Sequence, residues 1–271
     1  SLFYFSKDHS APSPNQPEGA QLKLKIDDEP LNRIISRLYF PESPYEFSVM
    51  PVEILGQVYE EFLGKEIVLD ENHIATVEEK PAVKKAGGVY YTPKYIVGYI
   101  VKKTLGRLLD RMKTAKKANK LKILDPSCGS GSFLLGAYQC LLDWHLEKYL
   151  EKNKKDPELL YEIEGNWKLT IAEKKRILLN NIYGVDIDPQ AVEVCKLSLL
   201  LKVLEGESKE TVGKQLELFR KRALPNLTRN IKCGNSLIDS DFYENQQAAF
   251  FNEEEQYRIN TFDWGIEFNE I

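Results

Sequence analysis

Apolar residues recur along most of this chain at spacings of three and four, and short apolar runs break that rhythm at three places. The pattern predicts amphipathic helices separated by a few buried strands. LNRIISRLYF from residue 31 and VMPVEILGQVYEEFLGKEI (49–67) both read as helical. In the second, Ile54, Leu55, Val58, Tyr59 and Phe62 form one stripe, and Gly64 supplies a stop signal. KYIVGYIVKKTLGRLLDRM (94–112) places Ile96, Val97, Ile100, Val101, Leu105, Leu108 and Leu109 on one face of a third helix. From there the pattern alternates. A strand is predicted at 121–125 (LKILD), a helix at 132–150, a helix at 171–181, a strand at 182–186 (IYGVD), helices at 189–204 and 208–222, and a strand at 230–234 (NIKCG). Strands alternating with helices signal a mostly parallel sheet with crossover connections. Residues 70–87, 113–122 and 151–168 read as polar or charged connectors, and no structure is predicted for the acidic, aromatic tail from 239 to 271.

The Pro- and Ser-rich stretch 8–20 separates an N-terminal arm (1–20) from a helical connector (21–86), and the alternating α/β region occupies 87–271. The 37 basic and 41 acidic residues give a net charge of −4, so the chain as a whole exerts no attraction on nucleic acid; a local patch would have to do so. Cys128, Cys140, Cys195 and Cys233 are widely spaced, and His9, His73 and His145 do not cluster with them, which points to neither a zinc site nor a disulfide framework. No signal peptide or apolar span is visible, and a cytoplasmic location is expected.

Candidate chemistry sits at the ends of the three predicted strands. After the first comes Asp125-Pro-Ser-Cys-Gly-Ser-Gly-Ser-Phe133, with Gly129 and Gly131 where a strand turns into a helix; glycine there lets the backbone approach a ligand closely. Position 134 is Leu134, so the third glycine of a dinucleotide fingerprint is missing, and no Gly-Lys-Ser/Thr of a phosphate loop follows. The second strand ends in Gly-Val-Asp186-Ile187-Asp188-Pro189. Asp186 lies where a carboxylate accepts both hydroxyls of a ribose, and Asp188, followed by Pro189, suits a helix cap. The third ends in Cys-Gly-Asn235-Ser236, where Asn235 could bond an adenine edge or form an ordinary turn. The three strand ends describe one crevice for a ligand that carries a ribose and an adenine without a gripped pyrophosphate.

DPSCGSGSF, GVDIDP and CGNSL resemble motifs I, II and III of the amino-methyltransferases of DNA, and Gly88-Val-Tyr-Tyr-Thr-Pro93 resembles their motif X, in the order of the gamma subgroup. With ILGQVYEEFLGKE upstream, the chain is similar over about 50–238 to the methyltransferase region of type IIG restriction-modification enzymes, which methylate adenine at N6. The resemblance implies an incomplete Rossmann-like fold of three parallel strands with helices, preceded by a small helical region. It also implies S-adenosyl-L-methionine as cofactor and double-stranded DNA as partner of the parent protein. Tyr91, Thr92 and Pro93 would meet the methionine carboxylate, and the loop Asp125, Pro126, Ser127, Cys128, Gly129, Gly131, Ser132 and Phe133 would run along the methionine. Asp186 would take the ribose, Ile187 would pack on the adenine, and Asn235 with Ser236 would bond its edge. Thr92 reads equally as a helix cap, Cys128 as a buried filler and Phe133 as a core residue.

The family's catalytic tetrapeptide, Asp/Asn/Ser-Pro-Pro-aromatic, does not occur in this chain. A truncation just before or within a fourth strand is therefore expected, with no catalytic residue in this chain and no methyl transfer by it alone. The sheet would lie in the order third, second, first, and its first strand would be an edge open to self-association. Type I modification subunits, protein-glutamine or RNA methyltransferases, and a non-catalytic connector with a vestigial cofactor site are the competing readings.

Overall fold

The computed structural model describes residues 28–37, 42, 51–63, 65–69, 75–79, 92–151, 156–207, 224–242 and 259–269. Two compact units divide at residue 50. In the first, α1 (Asp28–Ser36) is described, an exposed helix whose Glu29 and Arg33 pair across one turn at 2.9 Å. The arm and linker expected at 1–20 and the helix expected at 208–222 lie outside the described residues.

The second unit begins with α2 (Val52–Leu63), as the apolar stripe predicts, but the helical reading of 65–67 is wrong. Lys65–Leu69 is strand β1, paired antiparallel with β2 (Ala75–Glu79), which lies within the expected polar connector 70–87. The described helix stops at Leu63, and the β-branched content of Ile67, Val68, Thr76 and Val77 then favours pairing over helix. The chain continues in α3 (Lys94–Val101), one π-helical turn (Lys102–Gly106) and α4 (Arg107–Asp110), with Pro93 at the N-cap. Val97, Val101, Leu105 and Leu109 are buried, whereas Ile100 and Leu108, expected on the same face, are exposed. A strict spacing of four would wander around an α-helix of 3.6 residues per turn. The wider turn, with its i to i+5 bonding, keeps those four positions on one side. A short helix, α5 (Ala115–Ala118), interrupts the expected connector.

Three parallel strands form the central sheet: β3 (Ile123–Asp125), β6 (Ile182–Asp186) and β7 (Ile231–Cys233), in the order β3-β6-β7. The expected order is therefore observed. Asp125 lies opposite Gly184 and Asp186 opposite Cys233, which aligns the carboxyl ends of the strands. All five residues of β6 are buried, as befits a strand covered on both faces. Helix α6 (Ser132–Glu151) packs closely enough on β6 that a Cβ at Gly184 would lie 2.8 Å from Leu134 Cδ1 and 3.0 Å from Cys128 Sγ, so a larger residue there would have to displace these side chains. Tyr138, Leu141, Ile177, Ile182 and Leu199, all fully buried, make up the centre of the core.

Between α6 and the next helix the expected charged connector contains an antiparallel hairpin, β4 (Leu160–Ile163) and β5 (Asn166–Leu169), turned through Glu164 and Gly165 at positive φ. Its strands, four residues each, are too short to stand out from the charged stretch around them. Helix α7 (Ile171–Asn181) starts at Thr170, whose hydroxyl accepts the Glu173 N–H at 3.1 Å. Glu173 itself is buried and accepts from Tyr149 at 2.6 Å and Arg176 at 2.6 Å. Helix α8 (Pro189–Leu204) follows β6, and α2 packs against it. At the base of the sheet, Asn181 donates to the carbonyls of Ala118 and Leu121, and Asn230 to those of Leu179 and Ile182. These amides tie the strand entries together. In the tail, where no structure was predicted, Thr261 forms a parallel bridge to Asn235 and α9 (Trp264–Glu267) follows. Phe262 is buried over Gly234 and clusters with Trp264 and Phe268.

Candidate cofactor crevice

The loop from Asp125 to Ser132 is fixed by backbone geometry before any ligand is considered. Its first turn closes as the Ser127 N–H donates to Asp125 Oδ1 at 3.1 Å, and Cys128 N–H reaches across to the Val185 carbonyl at 2.9 Å. Gly129 and Gly131 both adopt positive φ, 53° and 91°. At Gly131 a Cβ would also stand 2.6 Å from Cys195 Sγ, so the loop can press on α8 only through a glycine. The turn then opens α6, whose first backbone N–H groups face the crevice end of the sheet.

Asp186 locks this loop to the second strand. It is 9% exposed, and its two oxygens accept the Gly129 N–H at 2.8 Å and the Asp188 N–H at 2.9 Å. Asp188 caps α8, accepting from the Gln190 N–H at 2.8 Å with Pro189 at the first helical position, as the sequence indicates. Its other oxygen accepts from Tyr59 of α2 at 2.9 Å, a contact over 129 positions that no local pattern announces. Between them Ile187 is 49% exposed, an apolar side chain left open beside Asp186.

At the third strand end, Asn235 Oδ1 accepts the Leu237 N–H at 3.1 Å, so the turn reading of this residue is observed. One lone pair of that oxygen and the amide donors stay available to a ligand. The Asn235 N–H bonds the Asn260 carbonyl at 2.6 Å and the Ser236 carbonyl accepts from Trp264 Nε1 at 3.1 Å, so the tail supports this corner. Neither contact has a signal in the sequence beyond the aromatic content of the tail.

Other predicted residues fall differently. Thr92 is half-buried and makes no side-chain cap to α3, because Pro93 holds the cap position; the cap reading of Thr92 is thus corrected. Tyr91 lies outside the described residues. Pro126 and Ser127 are exposed at the rim. Phe133 is partly buried against the core, in keeping with its packing role. Cys128 is 5% exposed, and a hydrogen bond with Cys195 together with burial pushes its thiol far above the ordinary range, which suits a filler and not a nucleophile.

The electrostatics of the crevice are anionic. Burial raises the Asp125 carboxyl above its ordinary value of 3.8, the Ser127 N–H partly offsets this, and the nearby charge of Asp186 raises it further. Among the described residues no cation pairs with either carboxylate. A separate groove of about 310 Å³, lined by Val192, Lys196, Thr228, Lys232 and Glu267, lies alongside β7. It is open and bridged by the Lys232–Glu267 ion pair, and of the crevice residues it touches none of those predicted to hold a ligand.

The chain is similar to several known proteins. The family described as MmeI, DNA-methyltransferase domain, matches residues 101–260. The type II restriction enzyme and methyltransferase RM.Eco57I of Escherichia coli is 37% identical over 231 residues, covering 85% of this chain and 21% of that protein. A putative type II restriction enzyme and methyltransferase of Methanocaldococcus jannaschii, RM.MjaORFECS2P, is 31% identical and covers 83% and 20%. The adenine-specific methyltransferase PglX of Streptomyces coelicolor is 26% identical and covers 64% and 12%. This chain therefore spans about one fifth of the length of the first two relatives. The solved structure of the type IIL restriction-modification enzyme MmeI in complex with DNA aligns over 74% of this chain and 25% of its own at 18% identity, with a TM-score of 0.32. On the extent of the matched region, the chain belongs to the MmeI DNA-methyltransferase domain family.

Proposed function

We propose that this chain is the cofactor-holding part of a DNA (adenine-N6)-methyltransferase of a restriction-modification system, and that its crevice binds S-adenosyl-L-methionine. The observation that carries the reading is the convergence of Asp125, the Gly129–Gly131 turn, Asp186, Ile187 and Asn235 at the carboxyl edge of one parallel sheet. The residues fit the group. Two carboxylates without a described cationic partner favour a ligand with a sulfonium and an ammonium, Asp186 has lone pairs left for ribose hydroxyls, and exposed Ile187 offers a face for adenine. Backbone N–H groups at the start of α6 suit a carboxylate.

When bound, the cofactor supplies an electrophilic methyl group. What this chain contributes is position: Asp186 fixes the loop and the ribose end together, and Asp125 offers a fixed negative charge near the methionine end. No Asp/Asn/Ser-Pro-Pro-aromatic sequence occurs in it, so residues outside the chain would hold the target base in double-stranded DNA. Adenine specificity is supported by the similarity to the adenine-specific methyltransferases PglX and, from Escherichia coli, BrxX. No described helix is long and apolar enough to cross a membrane, and the cytoplasmic location belongs to the same proposal. So does self-association along β3, which has a strand partner on one side only among the described residues and leaves Leu124 40% exposed.

Calorimetric titration of the folded chain with S-adenosylmethionine, its demethylated product, NAD and ATP tests the reading. Binding of the first two and not the others is expected. A folded sample that binds NAD or ATP but neither sulfur-containing ligand overturns it. A monomer by light scattering at high concentration overturns the self-association part alone.

A further inference from the structure

The charge of the chain is strongly segregated. Between residues 102 and 122 there are nine basic residues, Lys102, Lys103, Arg107, Arg111, Lys113, Lys116, Lys117, Lys120 and Lys122, against one acidic residue, Asp110. This stretch carries a net +8 in a chain whose total is −4, which leaves −12 on everything else. All nine are exposed, and none forms an ion pair with a described residue; Lys122 donates to the Tyr183 hydroxyl at 2.7 Å and Lys103 lies over the Tyr99 ring. Asp110 lies toward α6, where it acts on Cys140 and Lys148. So many like charges held on one rigid run repel one another, and a fold that keeps them unpaired is suited to a polyanion.

Their path through the fold is directional. Val97 packs against Gly136 in the second turn of α6, beside the glycine loop, whereas Asn119 meets His145 near the far end of the same helix at 3.2 Å. Ala118 and Leu121 are tied to Asn181 at the entry of β6. The basic strip therefore starts near the crevice and runs down the flank of the sheet to its base. At about 1.5 Å per residue, Lys94–Asp110 alone is on the order of 25 Å long. That segment carries Lys102, Lys103 and Arg107, and the other six cations follow it toward the base of the sheet, so the strip is long enough to meet several phosphates of a duplex, which carries one charge per about 1.7 Å of axis. Tyr95 and Tyr99, 77% and 63% exposed, continue the run toward the crevice, and Lys103 Nζ lies 5.6 Å from the Tyr99 ring centroid. Seven of the nine cations are lysines, a residue depleted from protein–protein interfaces and suited to phosphate as a point charge.

We infer that the outer face of α3, α4 and α5 is a sequence-independent contact for the phosphate backbone of duplex DNA, separate from the crevice and extending away from it to the base of the sheet. The inference rests on the DNA-methyltransferase reading for the identity of the polyanion. Its contribution is affinity and register, since phosphate contacts position a protein without reading bases.

The test uses the full chain, a fluorescent 30-base-pair duplex and anisotropy across a salt series. Arg107→Gln, Lys116→Gln and Lys117→Gln are combined in one variant, and Lys65→Gln, Lys148→Gln and Lys196→Gln in a control of equal charge change. Each phosphate contact contributes about 0.9 to the slope of log affinity against log salt, so the first variant is expected to lose about 2.7 from that slope and the control to keep it. Unchanged circular dichroism and S-adenosylmethionine titration in both variants separate this effect from folding and from the crevice. Equal slopes for the two variants overturn the inference, as does wild-type chain that binds cofactor without binding the duplex; the methyltransferase reading survives both. Failure of the wild type to bind cofactor overturns that reading instead, while the slopes still decide this one. Binding of polyglutamate as tight as that of the duplex overturns the choice of nucleic acid.

Discussion

Asp186→Asn is the substitution that most directly separates two roles of one side chain. The native carboxylate accepts two backbone N–H bonds, from Gly129 at 2.8 Å and from Asp188 at 2.9 Å, while 9% exposed. The amide keeps one oxygen, so one of the two N–H groups must face an NH₂. An unsatisfied buried donor costs about 1–3 kcal/mol, and the remaining bond loses its ionic component, a further ~1 kcal/mol. The sum is about 2–4 kcal/mol. For a chain of this size it corresponds to a fall in Tm of roughly 4–7 °C. Urea and thermal denaturation of the ligand-free chain measure this part. The ribose role predicts a further loss that stability does not explain: affinity for S-adenosylmethionine, measured by calorimetry at a temperature where the variant is fully folded, should fall on the order of ten- to a hundredfold. A destabilisation below about 0.5 kcal/mol would show that water replaces the lost acceptor and that the loop is not held by this carboxylate. Affinity within a factor of two of the wild type would refute the ribose assignment while leaving the structural role intact.

Two further substitutions probe the same crevice. Gly131→Ala places a methyl group 2.6 Å from Cys195 Sγ at a φ of 91°, and a loss of about 2–4 kcal/mol by urea denaturation is expected; adding Cys195→Ala should recover the steric share but not the backbone share. Asp125 has a carboxyl raised by burial and by Asp186, so at neutral pH its charge opposes folding, a penalty that vanishes as pH falls below its ordinary value. Asp125→Asn should therefore be more stable than the wild type at pH 7, with the difference shrinking on acidification. The same variant should bind S-adenosylmethionine more weakly at pH 7, because the charge that opposes folding favours the cationic ligand; tighter binding would refute its role.

Much of the sheet was legible because its signals are local. LKILD, IYGVD and NIKCG are apolar runs bounded by polar turns, and β3, β6 and β7 fall within them in the expected spatial order. Asp188 and Pro189 announce the start of α8 through two adjacent residues, and the positive φ of Gly129 and Gly131 follows from residue type at a strand-to-helix turn. Where the signal needed more than one segment, reading failed. The hairpins Lys65–Leu69 with Ala75–Glu79 and Leu160–Ile163 with Asn166–Leu169 have strands of only five and four residues, whose pairing supplies what their periodicity lacks.

The sequence alone, then, determined the chemistry available at the crevice: two carboxylates, a glycine turn and an amide, each at a strand end. Only the tertiary structure decided what those groups are free to do. It shows Asp186 already holding two backbone N–H groups and Asn235 closing its own turn. It also brings Tyr59 to Asp188 from 129 positions away and seats Phe262 over Gly234. The reason is physical. Residue type fixes how many hydrogen bonds and how much charge a side chain can offer, while the partners that use them up come from segments distant in sequence, whose approach is set by packing and not by local pattern.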